Sequence, residues 1–125
     1  MIYSIGHDIV ENQRIADLIA AHGQRALQRI LTPAELQLCA AREDKVKFLA
    51  KRFAAKEAFA KACGTGLRAP VLLNNISILN DELGRPYFVL ASELETWLRA
   101  RGVLSYHLSI SDERTLSSAV VIFEK

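Results

Sequence analysis

The sequence predicts an α+β fold: a mainly antiparallel sheet with one long central helix packed on it. Three observations predict it. The chain opens on an apolar run rich in Ile, Tyr and Val, Ile2 to Val10, which reads as a strand. A long basic stretch that Asp44 can cap stops on Gly64, which reads as a helix. The later part of the chain carries strand-like segments with short connections, and short connections favour antiparallel pairing. The length of 125 residues corresponds to a single domain, residues 1–125.

The elements follow in order. After the first strand, Glu11 to about Ala21 forms a helix with Ile15, Leu18 and Ile19 on one face. Gly23 breaks it, and a short helical piece with Ala26, Leu27, Ile30 and Leu31 follows. Thr32-Pro33-Ala34-Glu35 is a capping box with proline at the first helical position, and its helix reaches about Arg42. The long helix comes next. Leu72 to Leu79 reads as a strand, residues 80–86 as a turn, and Tyr87 to Leu90 as the returning strand. Ser92 caps a helix to Arg101, stopped by Gly102. Val103 to Ser111 and Leu116 to Phe123 are the last two strands, joined by the turn Asp112-Glu113-Arg114.

Composition sets limits on function. Half the residues are hydrophobic, enough for a core, although a chain this size buries only about two-thirds of its unfolded surface. The net charge is +2, so basic character is local, which argues against a general nucleic-acid coat. The strand aromatics Tyr87, Phe88, Tyr106 and Phe123 form no RNA-binding signature. Cys39 and Cys63 lack metal-ligand spacing and lie in apolar helical contexts, so reduced thiols are expected. The N-terminal run is too short for a membrane span, and no basic leader precedes it. A cytoplasmic enzyme without a membrane segment is the expectation.

Two carboxylates are the candidates for chemistry. Between positions 45 and 61 the long helix holds Lys45, Lys47, Lys51, Arg52, Lys56 and Lys61 against one acid, Glu57. Such a helix is either a solvated face or a site for a phosphorylated anion. Asp8 sits in the first strand, where aspartate is disfavoured. Asp8 and Glu57 together would supply two oxygen ligands, a typical protein share for Mg²⁺, which takes its other ligands from water and substrate phosphates. Glu57 and Lys61 are four apart on one helix face. They make either an ordinary helix pair or a metal ligand with a phosphate-binding lysine one turn on. Lys56 points about 100° away from Glu57 around the helix. Gly64-Thr65-Gly66 is a helix stop and a loop. A triad of His107, Ser109 and Asp112 crowds one strand and turn with no nucleophile elbow, which argues against serine hydrolase chemistry.

Three segments resemble one family. GHDIVENQRI at Gly6 to Ile15, FLAKRFAAKEAFAKACGTG at Phe48 to Gly66 and HLSISD at His107 to Asp112 are similar to the holo-[acyl-carrier-protein] synthases, small bacterial 4′-phosphopantetheinyl transferases. The resemblance runs over almost the whole chain. Positions 7 and 12 depart from the family's usual residues. His7 stands where a small or aliphatic residue is usual, and Asn12 where Ile or Leu is usual.

The resemblance implies a phosphopantetheinyl transferase-like fold and a Mg²⁺-dependent reaction. 4′-Phosphopantetheine passes from coenzyme A to a serine of apo-acyl carrier protein, releasing 3′,5′-ADP and supporting fatty acid biosynthesis. It implies Asp8 and Glu57 as metal ligands and, with Lys61, as the catalytic group. It assigns Arg52, Lys56, Gly64, Thr65, Gly66, His107 and Ser109 to coenzyme A, with Lys56 meeting either another phosphate or only solvent. Acyl carrier proteins are acidic, and Arg14, Arg25 and Arg29 are complementary charges. Family members of this length form homotrimers with active sites between subunits. The two other readings open to these residues are a nucleic-acid-binding module built on the basic helix and a scaffold protein in which the Asp8–Glu57 pairing is accidental.

Overall fold

A computed structural model describes residues 1–125. Strand β1 (Ile2–Glu11) leads into α1 (Asn12–His22), α2 (Gln24–Ile30) and α3 (Pro33–Ala40), then the long α4 (Lys45–Cys63). A single 3₁₀ turn, Leu73–Asn75, precedes β2 (Ile76–Asn80) and β3 (Pro86–Leu90). Helix α5 (Ser92–Ala100), β4 (Ser105–Asp112) and β5 (Leu116–Glu124) complete the chain. All strand pairs are antiparallel, as expected, but they form two sheets: a three-stranded sheet in the order β1-β5-β4 and the hairpin β2-β3.

Helix α4 lies across the three-stranded sheet, and its burial removes the reading of a solvated face. Ala50, Ala54, Ala55, Ala58, Ala60 and Ala62 are all buried, as are Phe48, Leu49 and Phe59. Phe59 is a centre of the core. Its ring meets Phe88 of β3 and Phe123 of β5 edge to face, each at 4.9 Å, a favoured aromatic geometry. The small alanines let β1 approach closely. On β1 the even residues face α4: Ser4 donates to the carbonyl of Ala62 at 2.6 Å, and Gly6 lies against Ala58. A β-carbon on Gly6 would sit 1.8 Å from the Ala58 carbonyl oxygen, so no other residue fits there without moving the strand. The odd residues Tyr3, Ile5, His7 and Ile9 face outward and are exposed.

Local chemistry fixes the ends of the elements. Thr32 accepts from the Glu35 amide, and Glu35 returns the bond to the Thr32 amide, completing the predicted capping box. Asp44 accepts from the Lys47 amide at 2.9 Å and caps α4. Gly64 ends it with φ of 80°, a left-handed conformation that favours glycine. The predicted strand over Leu72–Leu79 begins only at Ile76. Asn75 donates to the Pro70 carbonyl and the Glu93 carboxylate, and such local side-chain bonds compete with strand pairing. Ser92 is not the cap of α5: Ala91 holds that position, and no side chain caps the helix. The last strand pair starts later than predicted, at Ser105, and Asp112 still belongs to β4.

The two unusual residues have separate places. Asn12 is buried, accepts from Ser117 at 2.8 Å and donates to the Arg114 carbonyl at 3.4 Å. It ties the start of α1 to the β4–β5 turn, so a polar residue is satisfied there. His7 lies on the open face of the sheet. Both cysteines are free, and burial pushes the Cys63 thiol up to about 12, so it stays un-ionised at neutral pH. No helix is long and apolar enough to cross a membrane.

Candidate active site

Asp8, Glu57 and Lys61 come together where β1 crosses the C-terminal half of α4. The close contact at Gly6 brings the strand down, and Asp8 follows two residues later on the same face. Lys61 donates to the Asp8 carboxylate and to the His7 carbonyl, each at 3.0 Å. Lys61 therefore pairs across to the strand rather than with Glu57 on its own helix. Glu57 is half-buried, and no protein group donates a hydrogen bond to it. Burial raises its carboxyl above the ordinary carboxylate range, and the Asp8 charge raises it further, while Lys61 and Arg14 oppose the shift. Two carboxylates that repel one another, one lacking any protein donor, form a place for a cation. No third His, Cys, Asp or Glu joins them. That donor set fits a hard ion that keeps waters and takes further oxygens from a ligand.

Beside Glu57 opens a groove of about 660 Å³. Phe53 and Glu57 of α4, Leu18 and His22 of α1, Arg25, Arg29 and Ile30 of α2, and Leu67 and Leu73 line it. Arg14 stacks over the Phe53 ring at 5.6 Å, a cation–π contact. Arg25 and Arg29 thus line the groove that holds Glu57, and Arg14 stands over its Phe53 wall. Of its walls, Phe53, Leu18, His22, Leu67 and Leu73 have no signal in the sequence beyond their apolar or aromatic spacing.

The glycine loop leads away from Lys61. Gly64 and Gly66 have φ of 80° and 67° with open space where a β-carbon would stand. Thr65 donates its hydroxyl to the Gly66 carbonyl at 2.8 Å.

The remaining predicted residues lie elsewhere. Lys56 is fully buried, not facing a ligand or solvent. Its ammonium donates to the Ile30 carbonyl and to Glu35, each at 2.6 Å, and to the Leu73 carbonyl at 3.0 Å. An ammonium has three hydrogens, and all three are taken. Arg52 is also buried. It donates to the Ile78 carbonyl at 3.0 Å and to Asn80 at 3.1 Å, with its Nε 3.5 Å from Glu35 and outside hydrogen-bond geometry. Its guanidinium edges a second, smaller cleft with Arg42, Lys47 and Lys51. His107 and Ser109 are on the open face of the sheet, opposite to the face that carries Asp8. His107 pairs with Glu124, and that bond holds the Glu124 carboxyl below its ordinary value.

A carboxylate pair with a lysine, beside a groove lined by Arg25 and Arg29 on an α+β frame, suits an anionic ligand and a cation. Comparison with known proteins supplies the class. Residues 4–118 match the 4′-phosphopantetheinyl transferase superfamily, and the chain belongs to it. It is 56% identical to holo-[acyl-carrier-protein] synthase of Laribacter hongkongensis over 124 residues, 99% of each chain. The crystal structure of holo-[acyl-carrier-protein] synthase from Neisseria meningitidis superposes with a TM-score of 0.97 at 49% identity, covering 100% of both chains. The Helicobacter pylori synthase, solved in complex with coenzyme A, superposes with a TM-score of 0.84 at 30% identity, over 96% of this chain and 99% of that one.

Proposed function

We propose that this protein transfers 4′-phosphopantetheine from coenzyme A to a serine of apo-acyl carrier protein, in support of fatty acid biosynthesis. The observation that carries this reading is the Asp8–Glu57–Lys61 cluster at the mouth of an arginine-rimmed groove, on a chain of this superfamily. The reaction is attack of an alcohol on a phosphorus of a pyrophosphate, whose barrier is charge build-up and alignment. Asp8 and Glu57 would hold Mg²⁺, which neutralises phosphate oxygens when bound. Lys61 supplies a positive charge that can turn from Asp8 toward the phosphate, since its side chain is 55% exposed. Glu57, acting through a water, would take the serine proton. The leaving group departs as 3′,5′-ADP, and no covalent enzyme intermediate is needed.

The loop Gly64-Thr65-Gly66 would let backbone N–H groups approach coenzyme A. Arg14, Arg25 and Arg29 would meet the acidic carrier protein. The cations around Arg52, with His107 and Ser109, would serve the nucleotide end. Within one chain His107 and Ser109 stand on the opposite side of the sheet from Asp8. The open face also exposes Ile5, Ile9 and Val120, an apolar strip that another copy can cover. Both facts support a homotrimer in which neighbouring chains, each a single domain, complete each site. Incubation with apo-acyl carrier protein, coenzyme A and Mg²⁺, read by intact mass, tests the activity. The carrier should gain one phosphopantetheine, and an unchanged carrier mass refutes the reading.

A further inference from the structure

We propose that the buried Lys56–Glu35 pair is a positioning device for this reaction: it fixes α2 and the Leu73 turn against the stretch of α4 that carries Glu57. The pair joins segments far apart in sequence. Ile30 is the last residue of α2, where a carbonyl has no partner inside the helix. Leu73 opens the 3₁₀ turn. Lys56 binds both carbonyls. Glu35 is fully buried. It accepts from Lys56 at 2.6 Å, from the Thr32 amide at 2.9 Å and from the Ile78 amide at 2.9 Å. One ion pair therefore ties α2, α3, α4, the 3₁₀ turn and β2 together.

Its position gives the pair its role. Ile30 and Leu73 are walls of the groove beside Glu57, and Glu57 is the next residue after Lys56. The ammonium faces inward while the neighbouring carboxylate faces the groove. Stability alone does not account for such a pair, because well-packed apolar residues of similar volume commonly replace a buried ion pair without loss. An apolar pair would not hold two particular carbonyls at fixed distances. Groups around a reacting centre need that fixity, since a displacement of about 1 Å can cost about a hundredfold in rate.

This inference rests on the placement of Glu57 in the reaction. Two variants test it: Glu35→Gln, which keeps the side chain's shape, and the double variant Glu35→Leu with Lys56→Met, which removes both charges. Activity is expressed as kcat per folded molecule, with KM for coenzyme A measured alongside. Leu98→Ala, in the core of α5 away from the groove, serves as the control for lost stability. Glu35→Gln should lose at least about fivefold in kcat with little change in KM, while Leu98→Ala keeps kcat at a comparable fall in Tm. The double variant should recover Tm but not kcat. A loss below about fivefold in Glu35→Gln, or kcat that returns together with Tm in the double variant, overturns the proposal. Should the double variant not fold, the Glu35→Gln kcat decides alone. Failure of the Glu57 assignment reads differently: Glu57→Gln would then keep its turnover with Lys56 and Glu35 intact.

Discussion

Gly6 of β1 and Ala58 of α4 meet backbone against backbone, with a hypothetical Gly6 β-carbon 1.8 Å from the Ala58 carbonyl oxygen and 2.8 Å from the Ala62 nitrogen. Neither obstacle is a side chain that can swing away. Gly6→Ala must push the strand off the helix, and Asp8 moves with it. We expect a loss of at least about 1–3 kcal/mol in stability, the range for overpacking, with a fall in kcat in the molecules that fold. Denaturant melts and steady-state kinetics check both. A Gly6→Ala protein with parental Tm would contradict the contact.

Asp8 and Lys61 offer a cleaner test of chemistry, because their ion pair is partly exposed and contributes below about 1 kcal/mol to stability. Asp8→Ala should keep the fold and nearly abolish transfer. Lys61→Ala should lower kcat by about tenfold or more, roughly 1.4 kcal/mol of transition-state stabilisation. Parallel melting curves with near-normal turnover for Asp8→Ala would remove the two-carboxylate site.

The arginine rim predicts a different kinetic signature. Arg25→Glu and Arg29→Glu should raise KM for the carrier protein several-fold and leave kcat unchanged, since they stand at the groove's edge. Added salt should weaken the parent in the same way, because exposed charges are screened beyond about 8 Å at physiological ionic strength. A carrier KM unmoved by charge reversal would place docking elsewhere.

A pH test follows from Glu124. The His107 hydrogen bond holds its carboxyl below the ordinary value. Stability from such a group is present above the ordinary value and is lost as pH falls through the lowered one. The Tm gap between the parent and Glu124→Gln should narrow as pH falls through the carboxylate range, below about pH 4. A gap that widens below about pH 4 has the wrong sign for this carboxylate.

Much of the site was legible because its residues announce themselves in unusual settings. An aspartate in an apolar strand and a lone glutamate among cations both stand out from their neighbours, and the fold brings the two together. Depth was not legible. Lys56 and Arg52 look like any cations of a basic helix, since nothing local reveals which turn of a helix a sheet and three other segments will cover. Glu35 was readable as half of a capping box, but not as the counterion of Lys56, 21 residues further on. The reading of Lys56 as a ligand for phosphate or as a solvated residue fails for this reason. The strand predicted from Leu72 lost its first turn to asparagine bonds that only the folded neighbours supply. Likewise, the alternation in β4 put His107 and Ser109 on one face, yet only the paired sheet shows that face to be the one away from Asp8.

The interior ion cluster also decides which cations a partner can touch. The formal charge of +2 counts Arg52 and Lys56, which are withdrawn from water together with Glu35. Burial takes these groups out of direct contact with a partner but leaves the net charge at +2. So small a monopole pulls weakly at long range. The encounter with an acidic protein must be guided by the uneven spread of surface charge, a dipole felt only at close approach. Such a molecule gains orientation rather than capture radius, and its association rate should vary less with salt than that of a uniformly basic protein.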